Sequence, residues 1–323
     1  MSLQTLGIDV AKLKFNVCLI REDGRLKHRV LANTEAGFRD LSEWLNKNKV
    51  IQVHACLEAT GTYSEALATY LYDCNHQVSM VNPAATKAYA GAQLSRTKTD
   101  RVDAELIARF CLTQEPPLWT PAPAEVRELQ ALVRRLDSLI EMRVMEENRL
   151  SSGLSTTEVR ASIESVISHL EEQIKRTEKL IRKQIDNHPQ LKADRDLLLS
   201  IPGLGEATVA RLMSEISFHQ YENAREVAAF AGLVPRLRES GKSVRGRPRL
   251  SKMGTPRIRR SLYFPAITAL RCNPRIKEWA AGLSERGKCK MQIIGAVMRK
   301  LIHLAYGVLK SGKPYDPLHA QNS

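Results

Sequence analysis

Four carboxylates raise the first chemical question. Asp9 follows the apolar run Leu6-Gly7-Ile8, and Glu58 closes the run from Ile51 to Leu57. Asp100 and Asp103 stand at the head of a helix predicted over Arg101 to Cys111. Side chains at that spacing share a helix face and point together. Oxygen donors so gathered suit Mg²⁺ or Mn²⁺, hard cations that keep waters for substrate phosphates. Two such ions about 3.5 to 4 Å apart stabilise both the attacking and the leaving oxygen of a phosphoryl transfer. A D-x-x-D pair alone is equally an exposed helix start, where an aspartate answers the dipole. Four carboxylates in this order, each at an element's end, point to a metal site.

A second chemistry-bearing stretch runs from Arg236 to Arg260. It carries Arg236, Arg238, Lys242, Arg245, Arg247, Arg249, Lys252, Arg257, Arg259 and Arg260 against a single acid, Glu239. Such a run repels itself unless solvated or neutralised by phosphate. Ser240, Gly241, Ser243 and Gly246 make it a polar loop suited to close approach. A serine hydroxyl flanked by arginines can attack a phosphodiester, the cations stabilising the charge that develops. Chemistry alone leaves Ser240, Ser243, Ser251 and Ser261 in competition. A third stretch, Leu197 to Ala207, joins two helices through Pro202-Gly203-Leu204-Gly205. It reads as a helix-hairpin-helix whose backbone N–H groups at Gly203 and Gly205 can grip a phosphate. The plain alternative is a helix connection with glycine caps.

The elements that must position these groups follow from periodicity. Leu6 to Ile20 reads as two extended runs, with turn chemistry at Glu22-Asp23-Gly24-Arg25 before a third run, Leu26 to Leu31. Leu41, Trp44 and Leu45 share a helical face, Ile51 to Leu57 is a strand, Glu65 to Cys74 a helix and Val78 to Val81 a strand ending at Asn82-Pro83. A meander followed by alternating helices and strands is a mixed α/β sheet. Pro116, Pro117, Pro121 and Pro123 make a stiff connector. Beyond it Leu129, Leu132, Val133, Leu136, Leu139 and Ile140 form one stripe, and Ile163, Ile167, Leu170, Ile174, Thr177 and Ile181 another. Two long helices with narrow seams predict an antiparallel coiled-coil arm, and so narrow a seam predicts self-association. The rest is a mostly helical unit whose last helix, through Ile294, Val297, Met298, Leu301 and Ile302, is apolar enough to be core. The expected domains are 1–122, 123–188 and 189–323.

Bulk composition narrows the partner. The chain has 323 residues, a formal net charge of +14 and 43% hydrophobic residues, which describes a globular protein with a polyanionic partner. Only 5% are aromatic, which argues against stacking many unpaired bases. No secretory leader or bilayer-length apolar run is read, so the expected location is cytoplasmic, with no membrane partner. The six cysteines lie far apart without zinc spacing and are expected to be reduced and mostly buried.

These residues resemble a known family, the insertion-sequence transposases with a DEDD catalytic domain, the one-hundred-and-ten group, described as bridge-RNA-guided recombinases. The likeness runs nearly end to end. It is carried by Gly7-Ile8-Asp9-Val10-Ala11-Lys12, Leu57-Glu58-Ala59-Thr60-Gly61-Thr62-Tyr63, Val81-Asn82-Pro83 and Lys98-Thr99-Asp100-Arg101-Val102-Asp103-Ala104. It continues through Ser200-Ile201-Pro202-Gly203-Leu204-Gly205, Ala229-Phe230-Ala231-Gly232-Leu233 and Glu239-Ser240-Gly241-Lys242-Ser243-Val244-Arg245-Gly246. The resemblance implies a RuvC-like first domain of ribonuclease-H type, with Asp9, Glu58, Asp100 and Asp103 as ligands of Mg²⁺ or Mn²⁺. It implies that Ser240 is the nucleophile, forming a 5′-phosphoserine link to DNA. It further implies a guide RNA pairing with donor and target DNA, and a homodimer or homotetramer with composite sites. Three rival readings are a junction nuclease using water, a non-catalytic nucleic-acid-binding protein, and an actin-like ATPase, the last lacking a second Gly-rich phosphate loop.

Overall fold

The computed structural model describes residues 3–59, 61–93, 99–153, 156–236, 239–240, 244–245 and 249–317; for residues 62, 239–240 and 244–245 the backbone alone is described. The chain divides into two compact units, Met1–Pro121 and Ala122–Ser323.

The first unit is built on strands β1 (Gln4–Val10), β2 (Lys14–Ile20), β3 (Leu26–Ala32), β4 (Val53–Glu58) and β5 (Gln77–Val81). Their order is β3-β2-β1-β4-β5, antiparallel within the meander and parallel from β1 through β4 to β5. Helices α1 (Glu35–Lys47), α2 (Thr62–Asp73), α3 (Pro83–Ala92) and α4 (Asp100–Gln114) complete it. Strand side chains alternate between faces, and here the two sets differ in kind. Leu6, Ile8, Phe15, Val17, Leu19, Val53, Ala55 and Leu57 enter one buried core with Phe38, Leu41 and Leu45 of α1 and Leu67 and Leu71 of α2. The intervening residues face α4, where Cys18 and Ile20 meet Ala104 and Ala108, and Cys56 meets Ile107 and Cys111.

Gly7 sets how closely α4 approaches. A Cβ there would stand 2.2 Å from both the Ala104 carbonyl oxygen and the Ala108 nitrogen, so α4 lies with its backbone directly on β1. Thr99 caps α4, its hydroxyl accepting from the Val102 N–H. The proline-rich connector is laid against β5: Trp119 N–H donates to the Val78 carbonyl at 2.6 Å. Ser79 Oγ reaches the Pro116 and Pro117 carbonyls at 3.0 and 2.9 Å.

The second unit is mostly helical. Helices α5 (Ala124–Ser151) and α6 (Thr157–Asp186) pair antiparallel, with Gln184 Nε2 donating to the Glu125 carbonyl at 3.0 Å. Leu129, Val133, Leu136 and Leu139 share a buried cluster with Leu170, Ile174 and Ile181. The narrow seam at Ile174 is therefore filled within the chain, and carries no argument for a second subunit. Farther out, Val144, Met145, Val159 and Val166 are exposed. Then come α7 (Pro189–Leu199), α8 (Glu206–Glu215), a 3-10 turn at Phe218–Gln220 and α9 (Ala224–Phe230). Two short antiparallel pairs follow, β6 (Pro235–Arg236) with β9 (Arg249–Leu250), and β7 (Glu239–Ser240) with β8 (Val244–Arg245). Helices α10 (Pro256–Cys272), α11 (Pro274–Glu285) and α12 (Lys290–Ser311) close the unit.

Among the described residues α12 is long and apolar enough to cross a membrane, a length the sequence reading did not find; half of its most apolar window is buried. Ile294, Val297, Leu301, Ile302 and Ala305 of that helix lie in the core of the unit. The six cysteines are free, but only Cys18, Cys56 and Cys111 are buried; Cys74, Cys272 and Cys289 are exposed, against the expectation of mostly buried thiols.

Candidate active site

Strand parity and register place the carboxylates. Asp9 leaves β1 on the α4 face, since its neighbours Ile8 and Val10 belong to the opposite core. The parallel register pairs Ile8 with Leu57, so Glu58, next along β4, falls beside Asp9. Asp100 and Asp103 occupy the first turn of α4, the helix that Gly7 admits onto β1. Asp9 feels the charges of Asp103, Asp100 and Glu58 together. Burial first, then repulsion from those three carboxylates, pushes its pKa up to about 6; Lys14 opposes the rise.

Three further side chains shape this face, and the sequence reading passed over all of them. Lys14 Nζ donates to Asp100 Oδ2 at 2.9 Å and holds that carboxyl below its usual range. Asn16 pairs across strands with Asp9 and is buried beside Asp100, its Nδ2 outside hydrogen-bond geometry with any described acceptor. The buried Thr86 hydroxyl donates to Glu58 Oε1, fixing one carboxylate oxygen. Thr86 is positioned by α3, whose start is set by Asn82 accepting from the Ala84 N–H, with Pro83 at the first helical position. The Asn82-Pro83 motif was the only sequence signal that pointed toward it.

Among the described residues no three His, Cys, Asp or Glu side chains are placed so that they could hold a metal ion together. The donor chemistry nevertheless fits a divalent cation. Asp9 is half-buried, repelled by three carboxylates, and held partly protonated near neutrality, which is surplus negative charge that a bound cation would neutralise. Lys14 meets part of that surplus at Asp100.

The second unit presents the other candidates separately. Gly203 has φ +108°, and a Cβ on it would stand 2.7 Å from the Ala269 side chain, so its glycine is required by packing on α10. Gly205 caps α8 with open space around it. Arg236, Arg249 and Lys252 are exposed and make no ion pair among the described residues. Ser240 lies in β7, its backbone paired with Val244, and Arg245 pairs with Glu239. The side chains of Ser240 and Arg245, and all of Arg238, Lys242 and Arg247, lie outside the described residues. The rest of the basic run has partners within the chain: Arg257 pairs with Glu215, Arg260 with Glu141 at the surface, and Arg259 Nη1 donates to the Ala231 and Gly254 carbonyls. Of the competing serines, Ser261 donates its hydroxyl to the Ile258 carbonyl inside α10.

A mixed sheet with carboxylates at its strand ends, followed by a basic helical unit, is compatible with an enzyme that acts on nucleic-acid phosphates, and sequence similarity makes it a transposase, an enzyme that cleaves and rejoins DNA. The DEDD-type family described as "Transposase" matches residues 6–158, and the "Transposase IS116/IS110/IS902 family" matches residues 195–281. The chain is 33% identical over 320 residues to the "Pilin gene-inverting protein" of Moraxella bovis, covering 98% of each chain. It is 23% identical to the "Transposase for insertion sequence element IS1328" of Yersinia enterocolitica, over 96% of this chain and 98% of the relative. The chain belongs to the IS116/IS110/IS902 transposase family. DEDD transposases are in general dependent on divalent metal.

Proposed function

We propose that the chain is the recombinase of a mobile element, joining a RuvC-like, ribonuclease-H-type carboxylate domain (1–122), a coiled-coil arm (123–188) and a serine-bearing domain (189–323) with a helix-hairpin-helix. The observation that supports the proposal is the register that sets Glu58 beside Asp9 on the face carrying the first turn of α4, where the charges of Glu58, Asp100 and Asp103 all act on Asp9. Asp9, Glu58, Asp100 and Asp103 would hold Mg²⁺ or Mn²⁺, which when bound polarises the scissile phosphate. Thr86 orients Glu58, and Asn16 offers a buried donor beside Asp100.

In this reading Ser240 Oγ attacks the phosphorus of a DNA phosphodiester. The Oγ–P bond forms, the P–O3′ bond breaks, and the serine proton leaves to solvent as the 3′ oxygen takes one up. The 3′-hydroxyl of the partner strand then attacks the phosphoserine, restores a phosphodiester and returns Ser240. Arg236, Arg238, Lys242, Arg245, Arg247, Arg249 and Lys252, with the backbone at Gly203 and Gly205, contact phosphates of DNA or of a guide RNA that pairs with donor and target. Assembly as a dimer or tetramer lets the carboxylates of one subunit serve the serine of another.

The test is a denaturing gel after incubation with Mg²⁺ and element-end DNA. A protein–DNA adduct that Ser240→Ala and Asp103→Asn each abolish supports the reading. Cleavage that survives Ser240→Ala makes water the nucleophile, as in a junction nuclease, and the serine step falls.

Full-length similarity to a pilin gene-inverting protein favours a second reading, inversion of a DNA segment between two sites. A plasmid carrying the sites in inverted orientation separates them: inversion of the segment supports this reading, and excision with insertion elsewhere supports transposition.

A further inference from the structure

On the α4 face one buried donor is left without a partner. Asn16 is 6% exposed and stands opposite Asp9 across β1 and β2, so both side chains leave the sheet toward the start of α4. It helps to hold the Asp100 carboxyl below its usual range, which sets the amide against that carboxylate, yet its Nδ2 has no acceptor in hydrogen-bond geometry among the described residues. A buried amide hydrogen left unmade is costly, and a leucine of similar size would avoid the cost. Asp100 is engaged elsewhere: Lys14 Nζ donates to its Oδ2 at 2.9 Å, with both side chains more than half exposed. An ion pair so exposed is weakly held. With Asp100 on Lys14, no three acids among the described residues are placed to hold a cation together.

The backbone is set on both sides of this contact, and the side chains are not. Thr99 caps α4 through the Val102 N–H, so the chain at Asp100 is fixed and only the carboxylate can turn. The Ala11 N–H donates to the Lys14 carbonyl at 2.9 Å in the β1–β2 turn, which fixes the chain at Lys14 while its four-carbon stem stays free to swing. We propose that the Asp100 carboxylate has two holders: Lys14 while the acids carry no divalent cation, and Asn16 Nδ2 once they do. Lys14 is then a stand-in for cation charge, needed because Glu58, Asp100 and Asp103 all repel Asp9. Asn16 is a positioning residue that fixes one oxygen of Asp100 and leaves the other for the cation. The Thr86 hydroxyl on Glu58 Oε1 is the same arrangement already made. The inference rests on the reading of the four acids as a divalent-cation site, and adds how that site is kept before it is loaded.

The test is calorimetric titration of the full chain with MnCl₂, paired with melting in EDTA. Asn16→Leu should bind Mn²⁺ roughly tenfold more weakly than the wild type, yet melt in EDTA no lower, because no partner is lost. Lys14→Gln should bind Mn²⁺ roughly threefold more tightly and melt slightly lower in EDTA, because the acids lose the cation that opposes their repulsion. Lys14→Arg, which keeps the pair, should match the wild type. Lys12→Gln removes the same charge from an exposed position two residues away and should match it too. Lys14 is itself exposed, so its variants test the exchange independently of packing at residue 16. Wild-type affinity in either Asn16→Leu or Lys14→Gln overturns the exchange and leaves the cation site standing. A lower melting point of Asn16→Leu in EDTA makes Asn16 a structural amide, and equal tightening in Lys12→Gln makes Lys14 one charge among many; each overturns the proposal. A wild-type chain that binds no Mn²⁺ overturns the cation reading and the exchange with it.

Discussion

The two faces of the five-stranded sheet differ in what they are made of. The face under α1 and α2 is apolar and closed, from Leu6 and Ile8 to Leu41 and Leu71. The face under α4 carries Asp9, Asn16, Lys14 and Glu58 at its edge, and admits α4 only because residue 7 has no side chain. One face supplies stability; the other accepts a cost in stability to gather like charges. Changes on the two faces should therefore separate folding from chemistry, and Gly7, where both meet, should lose the two together.

The largest effect is expected at that junction. Gly7→Val drives a side chain into the α4 backbone and should destabilise the first unit by about 3 kcal/mol or more, abolishing strand cleavage; thermal melting and the adduct gel check both. Leu41→Ala on the apolar face should cost about 2 to 5 kcal/mol while cleavage per folded molecule stays near wild type. A loss of cleavage in folded Leu41→Ala protein would break the division between faces.

Asp9→Asn should act in the opposite sense. The native pKa of Asp9 lies above its unfolded value, so its contribution to stability is full below about pH 4 and is lost as pH rises through about 6. Removing the charge should make metal-free protein more stable by about 1 kcal/mol at pH 7.5, the figure reduced for the solvent that screens a half-exposed group, while cleavage disappears. A melting curve in EDTA showing no gain would contradict the repulsion at Asp9.

Smaller effects are expected in the second unit. Arg249→Ala should reduce the salt slope of duplex binding by about 0.9, the contribution of one phosphate. Arg257→Ala should leave that slope unchanged and lower stability instead, because Arg257 is paired with Glu215. The smallest concerns assembly: Val159→Asp or Val166→Asp on the exposed end of the arm should lower the sedimenting mass, whereas Ile174→Asp should unfold the arm.

Much of this was legible from residue order. The alternation around Asp9 and the apolar run before Glu58 fixed strand faces, and the D-x-x-D spacing fixed one turn of α4. What stayed hidden was set by partners distant in sequence. Lys14 reads as one more surface lysine until β2 folds back beside β1, and Thr86 as an ordinary helical threonine until α3 lies over Glu58. The basic run from Arg236 to Arg260 reads as one patch, yet Arg257, Arg259 and Arg260 already have partners in Glu215, Ala231, Gly254 and Glu141. Gly203 reads as a phosphate-gripping turn, and its nearest constraint is Ala269. Periodicity reports which face a residue takes, and only the assembled chain reports what waits there.

The central claim is that four acids on the α4 face share divalent cation. Manganese titration followed by electron paramagnetic resonance tests it directly on the full chain. The account predicts bound Mn²⁺ in the wild type and loss of that signal in Asp9→Asn and in Asp103→Asn, with each variant folded. Undiminished Mn²⁺ binding in both variants would contradict it.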